Sequence, residues 1–367
     1  MSNKLITILF CGLLAAGIIA EILLPDKLYS DSEKRKLAQF PQLSPEEILD
    51  GKLSDSAEDY LADQFPGRDG WVTAKVLTEL ISGKRESGGV YFAQDGYLID
   101  KFTTYSQKQF AANINTLCKL EETLSQSGIP MKVMLVPTAA DILSDKLPAF
   151  APNLSQSDFI SYAEKQDLDV TDVSDILREH SGEYIYYKTD HHWTSLGAYY
   201  AYCAWKSSKG ETAEALSAWT HEKLCDNFRG TTYAKVNYPF APFDTIDAYY
   251  KQTEHTVSYN DGAYVTDSLY ERKYLDGSDQ YAAFLNSNQA LTVISGSGTG
   301  KLLIIKDSYA NTFAQFPADD YAETYLIDMR FYRGSVSKYA VDNGITDVLV
   351  LYNIPNFASD KSVSMIY

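Results

Sequence analysis

The sequence predicts an α/β fold in which a parallel sheet is flanked by helices, behind an N-terminal membrane anchor. The C-terminal part of the chain alternates three apolar runs, 301–308, 323–328 and 347–353, with two stretches of helical pattern. Strand–helix–strand connections are almost always right-handed crossovers, which make the joined strands parallel. A further apolar run at 131–136 follows a helical pattern at 106–127. Such runs are typical of parallel strands that are buried on both faces.

The first residues of the chain predict a membrane segment. The stretch 5–25 carries Glu21 as its only charge, and its length suits a spanning helix of about 20 residues or a long signal peptide. Bulky Phe10 in front of Cys11 argues against a lipoprotein site, and there is no clean small-residue cleavage pattern. We therefore expect an uncleaved, single-pass anchor in the cell membrane, with the catalytic part of the chain outside the cell.

Composition changes along the chain divide it into segments. We expect 1–25 to be the anchor or a signal peptide, 26–50 a polar stalk that ends in a capped helix at 44–51, and 51–367 one catalytic domain. Within that domain, the tyrosine-rich stretch 211–300 shows weak periodicity. It is therefore expected to be an irregular insertion.

Local patterns predict three further elements. Residues 54–82 have the pattern of an amphipathic helix that is interrupted by a Pro-Gly pair. Alternating residues around the Asp-Gly pair at 95–96 predict a hairpin. Thr194 or Ser195 is a suitable cap for a helix that runs to about Ser208.

Overall composition argues against a nucleic-acid binder and against a disulfide-rich protein. A formal net charge of −17 argues against a nucleic-acid binder, because phosphate affinity comes from clustered Lys and Arg. Outside the first segment, Cys118, Cys203 and Cys225 show no CxxC spacing and form no disulfide framework. The 28 tyrosines suit carbohydrate stacking, although core packing is the simpler explanation for many of them.

The segment TDHHWT, residues 189–194, holds two adjacent histidines after an aspartate. On an extended segment Asp190 and His192 face one side while His191 faces the other. A carboxylate and an imidazole on one side suit a general base and its orienting group. A metal site remains the alternative, but diverging neighbours can hardly converge on one ion, and no other histidine adds a ligand motif.

Ser308 is the candidate nucleophile, because it follows an apolar strand at a strand-to-helix junction. Ligand sites of parallel sheets lie at the carboxyl ends of strands, where Asp328 and Asn353 also fall. Backbone N–H groups at such a junction suit a developing oxyanion. Simpler readings exist for this region: Ser308 as an ordinary helix cap, Asp307 as a turn residue and Lys306 as a solvated strand end. For His191 and Trp193, a structural hydrogen bond and core packing are expected.

The motifs TDHHWT and LLIIKDSYANTF resemble those of the DHHW protein family, which is similar to the SGNH-hydrolase-like domains of the alginate O-acetyltransferases. EKRKLAQFP, YLADQFPGRDGW, NFRGTTYAK and YLIDMRFY also resemble family segments, so the resemblance covers nearly everything after the anchor. The resemblance implies a Ser-His-Asp triad of Ser308, His192 and Asp190. Because the Asp-x-His motif precedes the serine strand, the order resembles a circular permutation of ordinary SGNH hydrolases.

The resemblance also implies the remaining site residues. Asn353 takes the place of an oxyanion-stabilising Asn, and the segment around Arg330 takes that of the Gly block. Arg330 and Tyr309, which directly follows the nucleophile, are also expected to bind the oxyanion or the substrate. Two features depart from the family pattern of SGNH enzymes. The serine context is KDS rather than GDS, and no glycine follows the second strand before Gly334.

Together these expectations describe a cell-surface O-acyltransferase or esterase acting on O-acetyl groups of an extracellular polysaccharide. No cofactor or metal is expected. A membrane-bound acyltransferase partner as the acetyl source is implied by the resemblance alone. The alternative is a noncatalytic glycan-binding or envelope scaffold protein that keeps a degenerate hydrolase fold and binds through its tyrosine-rich middle.

Overall fold

The computed structural model describes residues 3–41 and 52–366. Its contacts divide the chain into two compact units, Met1–Gly88 with Tyr233–Phe240, and Gly89–Thr232 with Ala241–Tyr367. The first unit therefore includes residues 52–88, which lie in the segment that was expected to form the catalytic domain.

The first unit contains an apolar N-terminal helix and two shorter helices, Asn3–Leu23, Lys52–Gln64 and Arg68–Ile81, with the short strands β1 (Tyr29–Ser30), β2 (Arg35–Lys36) and β3 (Glu86–Ser87). The N-terminal helix is long and apolar enough to cross a membrane, a test that signal sequences also pass. The break between the later two helices confirms the interruption predicted at the Pro-Gly pair, because Gly67 has a left-handed φ of 69° there.

Part of the predicted stalk is structured. Strands β1 and β2 pair antiparallel, and the carboxylate of Asp63 accepts hydrogen bonds from Arg35 (Nη1–Oδ2 2.7 Å) and from the backbone N–H of Ala38 (2.8 Å). These bonds tie residues 26–41 to the helix Lys52–Gln64. The helix predicted at 44–51 lies outside the described residues.

The second unit is built on one seven-stranded sheet, accompanied by a hairpin and a two-stranded ribbon. Its strands in chain order are β4 (Val90–Phe92), β5 (Leu98–Asp100), β6 (Met131–Val136), β7 (Thr220–Phe228), β8 (Asp244–Tyr250), β9 (Val257–Tyr259), β10 (Tyr264–Thr266), β11 (Leu291–Ser295), β12 (Lys301–Lys306), β13 (Glu323–Ile327) and β14 (Asp347–Asn353). The large sheet has the order β10-β9-β11-β13-β12-β14-β6. β4 and β5 form the hairpin predicted around 95–96, and β7 pairs with β8.

The four predicted strands β13, β12, β14 and β6 are parallel neighbours, as expected. β11, β9 and β10 extend the sheet antiparallel at the β13 edge, so the sheet is mixed rather than purely parallel. The apolar runs arise because both faces are covered. Ile304 and Leu349 pack into the core on one face, and Leu303 and Val350 into the core on the other.

Helices cover both faces of this sheet. The helices that the structure describes in this unit are Gln107–Gln126, Ala139–Ile142, Ser157–Glu164, Ser174–Glu179, Ser195–Ser208, Ala310–Phe313, Val336–Asp342 and Ile354–Ser359. The helix Thr231–Val236 spans the boundary between the two units. The caps agree with the sequence: the side chain of Ser106 accepts from Gln109 N, and that of Thr194 accepts from Gly197 N.

Residues 211–300 are more regular than the sequence predicted. They contain the ribbon β7–β8 and the strands β9, β10 and β11, and thus supply three of the seven sheet strands. β9 and β10 have only three residues each, too few for a detectable period of two. Several tyrosines of this stretch, including Tyr259 and Tyr281, are buried in the core.

Candidate active site

Ser308 lies two residues beyond the carboxyl end of β12, where the chain turns into the short helix Ala310–Phe313. The backbone N–H of Asp307 donates to the carbonyl of Leu351 in β14 (3.2 Å), so the sheet ladder continues to the residue before the serine. Ser308 is partly exposed, whereas Asp307 and Tyr309 on either side are buried. The strand end therefore presents the hydroxyl at the surface.

His192 and Asp190 lie in a tight turn that is closed by a bridge between Tyr186 and Trp193. His192 Nε2 lies 2.7 Å from Ser308 Oγ, and His192 Nδ1 lies 2.5 Å from Asp190 Oδ1. The same carboxylate oxygen accepts from the backbone N–H of His192 (3.0 Å). The structure thus brings the predicted serine, histidine and aspartate into one hydrogen-bonded chain.

Thr231 fixes the other oxygen of Asp190, a contact that the sequence did not predict. Asp190 Oδ2 accepts from the backbone N–H (2.7 Å) and the hydroxyl (3.0 Å) of Thr231. Gly230 permits this approach, since a Cβ at that position would lie 2.1 Å from the Cβ of Asp190. The segment NFRGTTYAK, which contains Thr231 and resembles a family segment, is the signal that could have predicted this contact.

The expectation that His191 faces away from its neighbours is wrong. Its ring centroid lies 3.8 Å from that of His192, because the segment turns rather than extends. Possible metal-ligand atoms of Asp190, His191 and His192 consequently lie within 4.8 Å of one another. The expectation that these side chains can hardly converge on one ion is therefore wrong. They also bond one another and Thr231, since His191 Nδ1 lies 2.6 Å from Thr231 Oγ1.

The surroundings of His192 and Asp190 determine the charge of each side chain. Burial lowers the pKa of His192 to about 4, and the nearby charge of His191 adds to this effect while Asp190 opposes it. Burial alone would raise the pKa of Asp190, but the charges of His192 and His191 outweigh it and hold that pKa well below its usual range. At neutral pH the imidazole is neutral and the carboxylate ionised, as a general base and its orienting group require.

Asp307 is a buried hydrogen-bond acceptor beneath the serine rather than a simple turn residue. Its Oδ1 accepts from the backbone N–H of Tyr309 (2.9 Å), and its Oδ2 accepts from Asn353 N (2.9 Å), Asn353 Nδ2 (2.7 Å) and Asn356 Nδ2 (3.0 Å). The Asn353 side chain also caps the next helix by accepting from Asn356 N (3.0 Å). The predicted oxyanion donor Asn353 is thus bonded to Asp307.

Lys306 is not the solvated strand end that the sequence suggested. Its ammonium is buried, with Asn311 Oδ1 at 2.7 Å, Asn288 Oδ1 at 3.1 Å and Asp328 Oδ2 at 3.8 Å. Burial lowers the pKa of Lys306 to about 8, against the opposing charge of Asp328. The residue that replaces Gly in the KDS motif therefore donates hydrogen bonds to both sides of Ser308, at the Asp307 carbonyl and at Asn311 Oδ1.

The two remaining predicted site residues have different environments. Arg330 is partly exposed and makes two bonds to Asp328, Nε–Oδ1 at 2.9 Å and Nη2–Oδ2 at 2.5 Å. Tyr309 is fully buried, and its hydroxyl donates to the carbonyl of His191. Tyr309 therefore holds the histidine turn and has no surface with which to contact a substrate. Trp193 is buried as expected, and its Nε1 donates to Tyr309 O (3.0 Å).

A mixed α/β domain with a Ser–His–Asp chain at the carboxyl edge of its sheet is the class of protein that these features define. The model of the family described as DHHW protein matches residues 33–87 and 82–327. The chain therefore belongs to the DHHW family, which confirms the resemblance read from the sequence. No curated protein matches it.

Solved structures with a similar fold include a DHHW family protein from Eubacterium siraeum DSM 15702, at 27% identity and a TM-score of 0.67, covering 76% of this chain and 95% of that one. PatB1 of Bacillus cereus, solved with a sulfonyl adduct, matches at 19% identity and a TM-score of 0.62, over 76% of this chain and 98% of PatB1. The O-acetyltransferase domain of Pseudomonas putida AlgJ matches at 14% identity and a TM-score of 0.47, over 76% of this chain and 92% of that one.

Proposed function

We propose that this protein is a cell-surface O-acyltransferase or esterase that acts on O-acetyl groups of an extracellular polysaccharide, with Ser308 as nucleophile. The observation that carries the proposal is the chain of hydrogen bonds from Ser308 Oγ through His192 to Asp190 Oδ1. A serine attacks a carbonyl only when a base removes its proton, and the base acts best when a carboxylate holds its tautomer.

In the first half-reaction Ser308 Oγ attacks the carbonyl carbon of an acetyl ester while His192 Nε2 takes the hydroxyl proton. The tetrahedral intermediate collapses when His192 gives that proton to the leaving oxygen, which leaves an acetyl group on Ser308. In the second half-reaction His192 takes a proton from a sugar hydroxyl or from water, and that oxygen attacks the acetyl-serine. When this second intermediate collapses, the bond between the acetyl carbon and Ser308 Oγ breaks and His192 returns a proton to that oxygen. A sugar acceptor gives transfer and water gives hydrolysis.

The oxyanion of each intermediate is assigned to the backbone N–H of Ser308, together with Asn353. One amide hydrogen of Asn353 is used by Asp307, and the amide carries a second one. Arg330, partly exposed beside the site, is assigned to the substrate rather than to the intermediate. Tyr309, with its buried ring, serves the site by holding the His191–His192 turn.

We further infer that Asn3–Leu23 anchors the chain in the cell membrane and that the catalytic domain is extracellular. The apolar helix supports the first inference. A membrane-bound acyltransferase is proposed as the acetyl source, and the order of motifs as a circular permutation of the SGNH-hydrolase fold. The formal charge of −17 is consistent with a glycan rather than a nucleic acid as partner.

Turnover of an activated acetyl ester by the full-length chain in detergent tests the proposal. Ser308→Ala and His192→Ala should each lower kcat by about 10³-fold or more, because serine and base act as one unit. Ser364→Ala and His221→Ala are matched controls at exposed positions, and they should leave turnover unchanged.

Unchanged turnover in both Ser308→Ala and His192→Ala would contradict the proposed nucleophile and base. Loss of turnover on adding a chelator, restored by zinc, would instead favour a metal held by Asp190, His191 and His192. Glycan binding that survives in Ser308→Ala, without turnover in the unmodified chain, would favour the noncatalytic alternative.

A further inference from the structure

Tyr281 lies face to face with the imidazole of His192. The two ring centroids are 3.8 Å apart and the planes are inclined by only 10°. Tyr281 comes from the turn Gln280–Ala283, in the stretch that the sequence predicted to be irregular, and its side chain is buried. One face of the imidazole is thus covered by an aromatic ring.

The hydroxyl of Tyr281 contacts the nucleophile turn. It donates to the carbonyl of Ser308 (3.0 Å) and lies 3.3 Å from Thr312 Oγ1, which in turn accepts from Trp193 Nε1 (2.8 Å). A single side chain therefore touches the ring of His192 and the main chain of Ser308. Phe284, with its ring centroid 5.3 Å away, packs against Tyr281.

We propose that Tyr281 is a positioning residue for the acyl transfer proposed above, which keeps water from the imidazole of His192 and holds its ring in the plane that aims Nε2 at Ser308. The inference rests on that proposed function. The hydrogen bonds at Nδ1 and Nε2 hold the edge of the imidazole, but they do not support its face, so the ring can still tip. A flat ring against the face blocks this motion, and small misalignments of a catalytic group can cost about 10²-fold in rate.

The effect of Tyr281 on His192 is distinct from that of the charged neighbours. The titratable or charged groups that surround the imidazole are Asp190, His191, Tyr281, Ser308, Tyr309 and Arg330. Asp190 favours the imidazolium, whereas His191 and Arg330 disfavour it. Tyr281 carries no charge and acts by burial, the largest influence on this histidine. Removing its ring should therefore let water in and raise the pKa of His192 from about 4 toward its ordinary value of 6.5.

The test compares Tyr281→Ala, Tyr281→Leu and Tyr281→Phe in the full-length chain. Tyr281→Ala should lower kcat by about 10²-fold with little change in KM. It should also raise the pKa of the acidic limb of the kcat/KM profile, which is that of His192. Tyr281→Leu, which is safer for folding, should change both in the same direction but less. Tyr281→Phe keeps the stacked ring and should remain within about tenfold of the unmodified chain.

Tyr259→Ala is the matched control, because Tyr259 is equally buried in β9 and stacks on Tyr264 instead. Tyr259→Ala should lower the free energy of unfolding without changing the pKa of the acidic limb of the kcat/KM profile. NMR titration of the His192 ring provides a readout that needs no turnover, and it should show the same rise in Tyr281→Ala and Tyr281→Leu.

An unchanged His192 titration in folded Tyr281→Ala or Tyr281→Leu would overturn the inference. If the unmodified chain turns over no ester, the proposed acyl transfer fails. The NMR titration then still decides whether Tyr281 covers the imidazole: a rise supports the cover and its absence refutes it.

Discussion

Asp190 and Asp307 are both buried carboxylates beside Ser308, yet their surroundings move their pKa values in opposite directions. The charges of the two histidines outweigh burial at Asp190 and lower its pKa. Burial dominates at Asp307 and raises its pKa, although amide donors oppose it. This difference separates their roles in the proposed reaction. Asp190 stays ionised to orient His192, and Asp307 holds the turn that carries the serine.

The role of Asp307 can be tested by Asp307→Asn. An asparagine presents an NH₂ group where the carboxylate accepts four hydrogen bonds, so at least one buried donor loses its acceptor. We expect a loss of about 1–3 kcal/mol in the free energy of unfolding and a fall in kcat, since Ser308 follows this residue directly. Asp342→Asn, on an exposed helix pair with Lys338, is the control and should cost at most about 0.5 kcal/mol. Equal effects of the two changes would contradict the assigned role.

The pH dependence of turnover follows from His192. A general base must be neutral, and burial lowers the pKa of this imidazole to about 4. Ester kcat/KM should therefore stay constant from neutral pH to about 5 and fall as His192 is protonated near pH 4. A midpoint near 6.5, the ordinary value, would show that the imidazole is hydrated.

The free energy of unfolding should also decrease as the pH falls. Because the folded pKa of His192 lies below its unfolded value of 6.5, the unfolded chain binds more protons below that pH. The stabilising contribution of neutral His192 is complete above pH 6.5 and is lost as pH falls through about 4. Asp190, whose pKa is also lowered, acts in the same direction. Denaturant unfolding at several pH values measures this loss, which His192→Gln should reduce.

At the scale of elements, the strength of each pattern determined what the sequence could predict. Strands β6, β12, β13 and β14 are covered on both faces, so their apolar runs are unbroken and readable. β9 and β10 have only three residues each, and the place of β9, β10 and β11 in the sheet depends on long-range pairing. The same limit applies to the site. The end of an apolar strand predicted the position of Ser308, but the contacts of Tyr281 and Lys306 depend on side-chain packing that no local pattern encodes.

The helix Ser195–Ser208 directly follows the histidine turn, and Thr194 joins the two. Its hydroxyl accepts from Gly197 N (3.3 Å) and donates to the carbonyl of Tyr184 (2.7 Å). We expect Thr194→Ala to cost about 1 kcal/mol in the free energy of unfolding. It should also lower kcat, because the cap lies two residues from His192.

Ser106→Ala is a matched control for this change. Ser106 caps the helix Gln107–Gln126 by accepting from Gln109 N (3.2 Å), and its loss should cost a similar amount of stability. Thermal unfolding and ester turnover measure the two effects separately. A drop in kcat for Ser106→Ala as large as that for Thr194→Ala would show that the loss is a general consequence of lower stability.

At the scale of the whole molecule, the site is assembled from distant parts of the chain. His192 and Ser308 are 116 residues apart, and Asp190 and Thr231 are 41 apart. Loops at the carboxyl end of a rigid parallel core can meet in this way, because the strands fix where each loop begins. The sheet thus supplies the positions, and the buried polar contacts around Asp307 and Asp190 supply the orientation.

The most direct test of the central claim is to find the acetyl group on Ser308. The full-length chain is mixed with an activated acetyl ester, quenched at an early time and digested, and its peptides are analysed by mass spectrometry. We predict one acetyl group on the peptide that contains Ser308, removed by later turnover and absent in His192→Ala. Ester turnover with acetylation at another residue, or with none at Ser308 at any time, would contradict the account.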